Sequence, residues 1–266
     1  MEKDQTSTEP QLSFPERIVK PPLWGFMTAE GLLAVAFGVL LVVLLHRSLD
    51  PVIREAAESP LLQGGISGGV LQDGPKDSVQ LAENLFLSLH IDPLNVDRGA
   101  RSADCKVAFH DDRLSIESMF GRFVIPYPLN WEFDLNSESL GPAWKAWKGM
   151  GYLSIIVATS VFVVLSWVAA SLGLMIPGRL IAFYLKRSTS ITDLLKLAKS
   201  ALVPGFAMLT LGLLGYALRI LSLTTLTAVW VIHLFVAVGV FLFLLSRWPK
   251  QTVKAATTKK NPFEAN

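Results

Sequence analysis

The stretch that decides the fold is Leu23–Leu45, LWGFMTAEGLLAVAFGVLLVVLL, in which Glu30 is the only charged residue. As a helix with a rise of about 1.5 Å per residue, it is long enough to span the roughly 30 Å hydrocarbon core of a bilayer. The run exceeds the apolar region of a cleaved signal peptide, and no small-x-small cleavage site occurs in His46–Asp50. We therefore interpret it as an uncleaved signal anchor.

Similar apolar segments occur in the second half of the chain. They predict further spans at 151–176, 201–218 and 226–245, and Pro177-Gly178-Arg179 predicts a kinked turn after the second span. Hydrophobic residues make up 51% of the chain and charged residues 17%, against about 25% charged residues in soluble proteins. The composition thus excludes a wholly soluble protein.

These segments predict an α-helical integral membrane protein with about four transmembrane helices and a small α+β extracytoplasmic domain between spans one and two. The predicted segments are a disordered cytoplasmic lead (1–22), span one (23–45), the extracytoplasmic domain (46–150), span two (151–176), a basic cytoplasmic loop (177–200), span three (201–218), span four (226–245) and a basic cytoplasmic tail (246–266).

Charge predicts the orientation of the spans. Short loops rich in Lys and Arg remain cytoplasmic, whereas long domains are translocated largely regardless of charge. The loop before span three contains Lys186, Arg187, Lys196 and Lys199, and the tail is basic as well. Both termini are therefore expected in the cytoplasm, with residues 46–150 outside. Five aromatic residues fall at predicted span ends, where the membrane interface favours them: Trp24, Trp144, Trp147, Tyr152 and Trp248.

The extracytoplasmic domain contains both helical and strand patterns. The spacing of apolar residues after Ser78 predicts a helix to about His90. Alternation on either side of Asp111-Asp112 predicts a β-hairpin, and Phe123-Val124-Ile125 predicts a third strand. The glycine-rich run 64–69 lacks the Lys-Ser/Thr of a phosphate loop, which favours a flexible linker.

Few residues in the domain predict chemistry. His110 with Asp111 and Asp112 is interpreted as a polar hairpin turn, with a cation site as the alternative. Cys105 is the only cysteine, so an intramolecular disulfide is excluded and a small buried residue is expected. We predict no catalytic residues, no metal ligands and no cofactor.

Ionisable residues within the spans are the best functional candidates, because a charge in lipid must be paired, neutralised or solvated. Glu30 is expected near the interface or paired with Lys20 or a basic loop residue. His233 lies near the middle of span four, where it either bonds a neighbouring helix or relays protons. Arg179 and Arg219 lie close enough to span ends to extend towards water.

The stretch Ile191–Pro204, ITDLLKLAKSALVP, resembles the polar-loop-into-span signature of bacterial membrane families related to the Yip-type proteins. The layout is similar too, with one N-terminal span, an extracytoplasmic region and then a cluster of spans. The resemblance covers about residues 150–245. It implies a membrane-embedded, non-enzymatic protein and transfers no catalytic residues.

The sequence therefore predicts a scaffold or sensor of the bacterial inner membrane. Its expected partners are membrane lipids and a protein bound by the extracytoplasmic domain, with no nucleic acid. The alternative is a small transporter or channel subunit that uses His233 and Glu30. A membrane enzyme ranks last, since no nucleophile has a residue placed to orient it.

Overall fold

A computed structural model describes residues 13–95 and 103–250 of the chain. The predicted lead at 1–12 and the predicted tail at 251–266 lie outside the described residues. The helices are α1 (Phe14–Val19), α2 (Leu23–Glu58), α3 (Ser137–Tyr184), α4 (Ile191–Ala217) and α5 (Leu223–Ser246). The strands are β1 (Gly65–Ser67), β2 (Val70–Gln72), β3 (Val79–Glu83), β4 (Leu87–Ile91), β5 (Cys105–Phe109), β6 (Arg113–Ser118), β7 (Gly121–Pro126) and β8 (Glu132–Asp134).

Helices α2 to α5 are long and apolar enough to cross a membrane. They contain 36, 48, 27 and 24 residues, and a span needs about 20. A small sheet domain lies between the first and the second of them in the chain. Four apolar helices with an intervening domain are confirmed, and the chain has the organisation of a multi-pass membrane protein.

The chain divides into two compact units. We call the first, formed by Met1–Ala34, Ser160–Tyr216 and Thr224–Asn266, the helical unit. We call the second, formed by Val35–Thr159 and Ala217–Leu223, the β unit. The β unit contains both sheets, the second part of α2, the first part of α3 and the turn between α4 and α5.

The core of the helical unit lies where α1, α3, α4 and α5 meet. Glycine permits close helix packing there, because a Cβ at Gly205 of α4 would lie 2.6 Å from the carbonyl oxygen of His233 in α5. The buried apolar residues of this core are Val19, Ala182, Leu194, Leu197, Ala198, Ala201, Phe241, Leu244, Leu245 and Trp248.

Two predictions for the helical unit are wrong. The lead was expected to be disordered up to residue 22, but α1 occupies Phe14–Val19 and its Val19 is buried. The backbone N–H of Ser13 donates to Glu16 Oε2 at 2.7 Å, which caps the start of this helix. The turn expected at Pro177 is also absent, because α3 continues to Tyr184. Gly178 packs against the ring of Phe241, so the connection predicted over 177–200 shortens to 185–190.

The β unit contains two sheets. The larger has the strand order β3-β4-β5-β6-β7, antiparallel throughout except for the parallel pair β4 and β5. The smaller has the order β2-β1-β8 and is antiparallel. The core shared by the sheets and α2 consists of Val52, Ala56, Leu62, Ile66, Leu81, Ala82, Leu87, Ile91, Tyr127 and Leu135.

The helix predicted from Ser78 to His90 is wrong, because this segment forms the β3–β4 hairpin. The Asn84 side-chain oxygen accepts hydrogen bonds from the amides of Phe86 and Leu87, each at 2.9 Å, and this stabilises the turn. Within the described residues 59–95 and 103–136 the domain is all-β, since no helix begins and ends there.

The flexible linker predicted at 64–69 is also wrong, because this run contains β1 and the turn into β2. Gly68 and Gly69 have φ angles of +59° and +82°, as a type I′ hairpin turn requires. Ile66 of β1 is buried in the core. The hairpin predicted at Asp111-Asp112 and the strand predicted at 123–125 are confirmed as β5–β6 and β7.

Candidate interaction surface and polar sites

Among the described strands, β7 has a neighbour on one side only and forms an open edge of the five-stranded sheet. All of its residues are exposed, and the side chains of Phe123 and Val124 are 64% and 50% exposed. Sheet edges present unpaired N–H and C=O groups, and natural proteins usually protect them with charges, prolines or bulges. In β7 only Arg122 and Pro126 belong to those protective types.

The apolar face of the sheet continues onto this edge. Strand register aligns Val107 with Ile116, and Ile116 with Phe123, so the three side chains lie on one face. Val107 and Ile116 are half-buried, whereas Phe123 is exposed. A second row on the same face consists of Phe109, Leu114 and Ile125. The sheet thus carries an apolar surface beyond the part that its own core covers.

The turn between β6 and β7 enlarges this surface. Met119 and Phe120 form the turn and are 45% and 63% exposed. Contiguous apolar patches on a protein surface mark contacts with other proteins or with membranes. We call the residues Met119, Phe120, Phe123, Val124 and Ile125 the β7 surface. Within it, the Val124 side chain lies on the opposite face of the strand from Phe123 and Ile125.

A buried polar network lies behind β7. His110 Nδ1 lies 2.6 Å from the carbonyl oxygen of Asp92, and its Nε2 lies 2.8 Å from Ser115 Oγ. A carbonyl only accepts, so Nδ1 carries a proton and donates to it, while Nε2 and the Ser115 hydroxyl share the second hydrogen bond. Both side chains are almost fully buried. This Ser–His pair is therefore enclosed within the β unit.

Arg122 links the network to β7. Its guanidinium pairs with Glu117 at 3.1 Å, donates to Asn95 Oδ1 at 2.7 Å and lies 3.3 Å from His110 Nε2. Tyr127, just after the strand, donates its hydroxyl proton to the His110 carbonyl at 3.0 Å. Burial, together with the nearby Asp112, raises the pKa of Tyr127 and keeps it protonated. These bonds hold the backbone of β7 in place while its side chains remain exposed.

The structure does not favour the cation site considered for this hairpin. The His110 ring faces the interior, and Asp111 and Asp112 are exposed. Among residues 13–95 and 103–250, no group of three or more His, Cys, Asp and Glu is placed to hold a metal ion. An open groove of about 620 Å³ beside β8 is lined by Asp73, Glu132 and Asp134 together with amide side chains.

A second polar cluster joins α2 to α3 within the β unit. The Asp50 carboxylate accepts a 2.7 Å hydrogen bond from Trp144 Nε1 and lies 3.4 Å from Lys148 Nζ. Tyr152 packs edge-on against Trp144 and against His46. Trp144 thus has a specific bonding role beyond the predicted interfacial position. Helix α2 precedes the sheets in the chain and α3 follows them, and the cluster stabilises these two helices against each other.

Glu30 pairs with a residue of the segment predicted as the basic loop. Lys199 Nζ of α4 lies 2.7 Å from both carboxylate oxygens of Glu30 in α2. Each side chain is only 6% exposed. A buried charge is costly unless it is paired, and here each one neutralises the other. Next to this pair, Lys196 donates to the Val19 carbonyl at 3.1 Å and stabilises α1 against α4.

The hydrogen bond of the His233 ring is separate from the Glu30–Lys199 pair. It is half-buried on α5, and its Nδ1 bonds the carbonyl of Trp230 one turn earlier in the same helix. Its backbone packs closely against Gly205 of α4. The described contacts therefore do not connect His233 with Glu30.

The two arginines occupy different surroundings. Arg179 is exposed on α3. Arg219 lies in the turn between α4 and α5, and its guanidinium carbon is 5.5 Å from the centre of the Phe86 ring. This cation–π contact lies within the β unit. It joins the α4–α5 turn to the β3–β4 turn, as expected for a loop on the same side of the membrane as the domain.

Sequence reasoning missed several residues that the fold uses. The sequence places Lys199 in the basic loop and uses Arg187 only for the orientation of the spans, and it predicts no role for Asp50. The Arg187 guanidinium in fact donates to the carbonyls of Ser246 and Trp248 at the end of α5, which satisfies orphan helix C-terminal groups. An acidic residue within predicted span one and a lysine just before predicted span three are the available signal for the Glu30 pair.

Cys105 also has a defined environment. It is half-buried in β5 and has no disulfide partner. Burial raises the pKa of its thiol, and the neighbouring Asp104 charge raises it further. The thiol is thus predominantly protonated and poorly nucleophilic at neutral pH.

No family model, curated protein or solved structure matches the chain.

Proposed function

We propose that this multi-pass membrane protein is a non-enzymatic scaffold or sensor that binds a protein partner through the sheets of its β unit. The observation that carries the proposal is the β7 surface. Its apolar rows continue from the core onto an open sheet edge, where Phe123 is 64% exposed. The rigid network around His110 and Arg122 supports the same conclusion, because it holds the backbone of β7 ready for contact.

The proposal includes an orientation. Residues 46–150 are extracytoplasmic, and both termini are cytoplasmic. The basic residues between α3 and α4 support it, as does the contact of Arg219 in the α4–α5 turn with Phe86 in the β3–β4 turn. Alkaline phosphatase fused at Asn136 should be active, and the same reporter after Lys250 should be silent. The reverse pattern would overturn the orientation.

The transporter alternative has less support. It requires ionisable groups that line a shared path across the helices. Glu30 forms a salt bridge with Lys199, and the His233 ring is hydrogen-bonded to a carbonyl of its own helix. Both arrangements fit structural roles in a closed helical unit.

Photo-crosslinking tests partner binding directly. Benzoylphenylalanine placed at Phe123 in the full chain, in native membranes, should give a discrete adduct upon irradiation. The control position is Gln80 of β3, which is exposed at the opposite edge of the same sheet and should give none. Absence of an adduct at Phe123, or equal adducts at both positions, would contradict the proposal.

A further inference from the structure

The backbone of β7 has a definite hydrogen-bonding polarity. The amide of Tyr127 donates to the carbonyl of Asp112, so it faces β6. Amide directions alternate along an antiparallel strand, which means that Phe123 and Ile125 also face β6. The amides of Arg122 and Val124 consequently face outward. The N–H and C=O of Val124, at the centre of the open edge, thus have no partner strand among residues 13–95 and 103–250.

This edge is complementary to itself. In an antiparallel pairing centred on Val124, the Val124 residues of two copies exchange both hydrogen bonds. The Arg122 amide then faces the Pro126 carbonyl of the second copy, and the N–H that proline lacks is the only donor missing from that pair. Phe123 lies opposite Ile125 of the second copy, so the apolar rows of the two sheets join. No like charges meet across this register.

The size of the surface favours a partner anchored in the same membrane. The five side chains of the β7 surface are 44% to 64% exposed and together present on the order of 450 Å² per copy. Even complete burial of these side chains in two copies would remove only about 900 Å², less than the roughly 1,200–2,000 Å² of a stable soluble complex. Tethering raises the effective concentration and compensates for a small interface. A second copy always meets this condition.

We propose that β7 pairs antiparallel with β7 of a second copy of this chain, joining the two five-stranded sheets into one. The pairing rests on the proposed function, since it specifies the partner that the β7 surface binds. The Glu117–Arg122 pair of each copy remains intact, because it lies within one sheet.

Disulfide trapping tests the register. The full chain carries Cys105→Ser and Val124→Cys, and native membranes are treated with a mild oxidant. Residues paired across an antiparallel register lie within the range of Cα separations that a disulfide spans. A disulfide-linked homodimer is expected. The matched control is Phe133→Cys on the exposed strand β8, which should remain monomeric. Adding Ile125→Glu should lower the Val124→Cys dimer yield about tenfold, because a charge would then face Phe123.

The outcomes separate the two proposals. If Val124→Cys gives no dimer while benzoylphenylalanine at Phe123 gives an adduct with another protein, the second copy is wrong and partner binding stands. If neither experiment gives a product, both proposals fail. Equal dimer yields from Val124→Cys and Phe133→Cys would indicate random collision and would also overturn the pairing. Unchanged thermal unfolding of the Ile125→Glu variant shows that the loss of dimer is not a loss of fold.

Discussion

Removing one partner of the Glu30–Lys199 pair should destabilise the helical unit strongly. Lys199 Nζ lies 2.7 Å from both Glu30 oxygens, and each side chain is 6% exposed. At an effective dielectric constant of about 20 the attraction is about 6 kcal/mol. Desolvation of the two ions offsets much of it, so the pair contributes little net stability. A single substitution, however, leaves the other charge buried and unpaired.

The expected cost of Glu30→Leu or Lys199→Met is therefore about 3–5 kcal/mol in the free energy of unfolding. The double variant Glu30→Leu with Lys199→Met removes both charges and should lie within about 1 kcal/mol of the parent. Lys186→Met is the matched control. That lysine is exposed after α3, and its loss should cost about 0.5 kcal/mol or less.

The assay is equilibrium unfolding of purified full-length protein in mixed micelles, followed by circular dichroism and analysed as a double-mutant cycle. The reasoning predicts a large coupling free energy, with the double variant more stable than either single one. Single variants that cost less than about 1 kcal/mol and add in the double variant would refute it, because the charges would then be solvated.

Three further predictions concern single side chains. His110→Leu should cost about 2–3 kcal/mol in the free energy of urea unfolding, since it leaves the Ser115 hydroxyl buried without its hydrogen-bond partner; a variant as stable as the parent would contradict the network. His233→Gln should retain stability and His233→Leu should lose about 1 kcal/mol or less in thermal unfolding, because the ring bonds only its own helix among the described contacts; loss of a cellular phenotype in the stable Gln variant would instead favour proton relay. Cys105 should react slowly with maleimide at neutral pH and faster as pH rises, because its raised pKa keeps the thiol protonated; Asp104→Asn should accelerate the reaction, and an unchanged rate would exclude the charge effect.

Composition and long apolar runs predicted the helices well. Each apolar run satisfies the bilayer's length requirement by itself, so the spans depend little on tertiary contacts. Alternation likewise predicted the β5–β6 hairpin and β7, whose strands are adjacent in the chain.

The errors arose where distant contacts decide the structure. Residues 82–89 fit a helical period, but Leu87, Leu89 and Ile91 also alternate, and parallel pairing with β5 selects the strand. Gly68 and Gly69 were interpreted as flexible, although the same residues permit a tight turn. The sequence predicted Lys20 or a basic loop residue as the partner of Glu30. It could not single out Lys199, since the pair depends on how α2 and α4 pack.

Accessibility of single cysteines in intact cells tests the central claim, an extracytoplasmic β unit whose β7 surface is covered by a partner. In a Cys105→Ser background, cysteine replaces either Val70 of β2 or Phe123 of β7, both of which are exposed. A membrane-impermeant maleimide should label Val70→Cys in intact cells and leave Phe123→Cys largely protected, whereas both should react in unfolded protein. Labelling of Val70→Cys only after the membrane is opened would contradict the orientation, and equal labelling of the two cysteines would contradict a covered β7 surface.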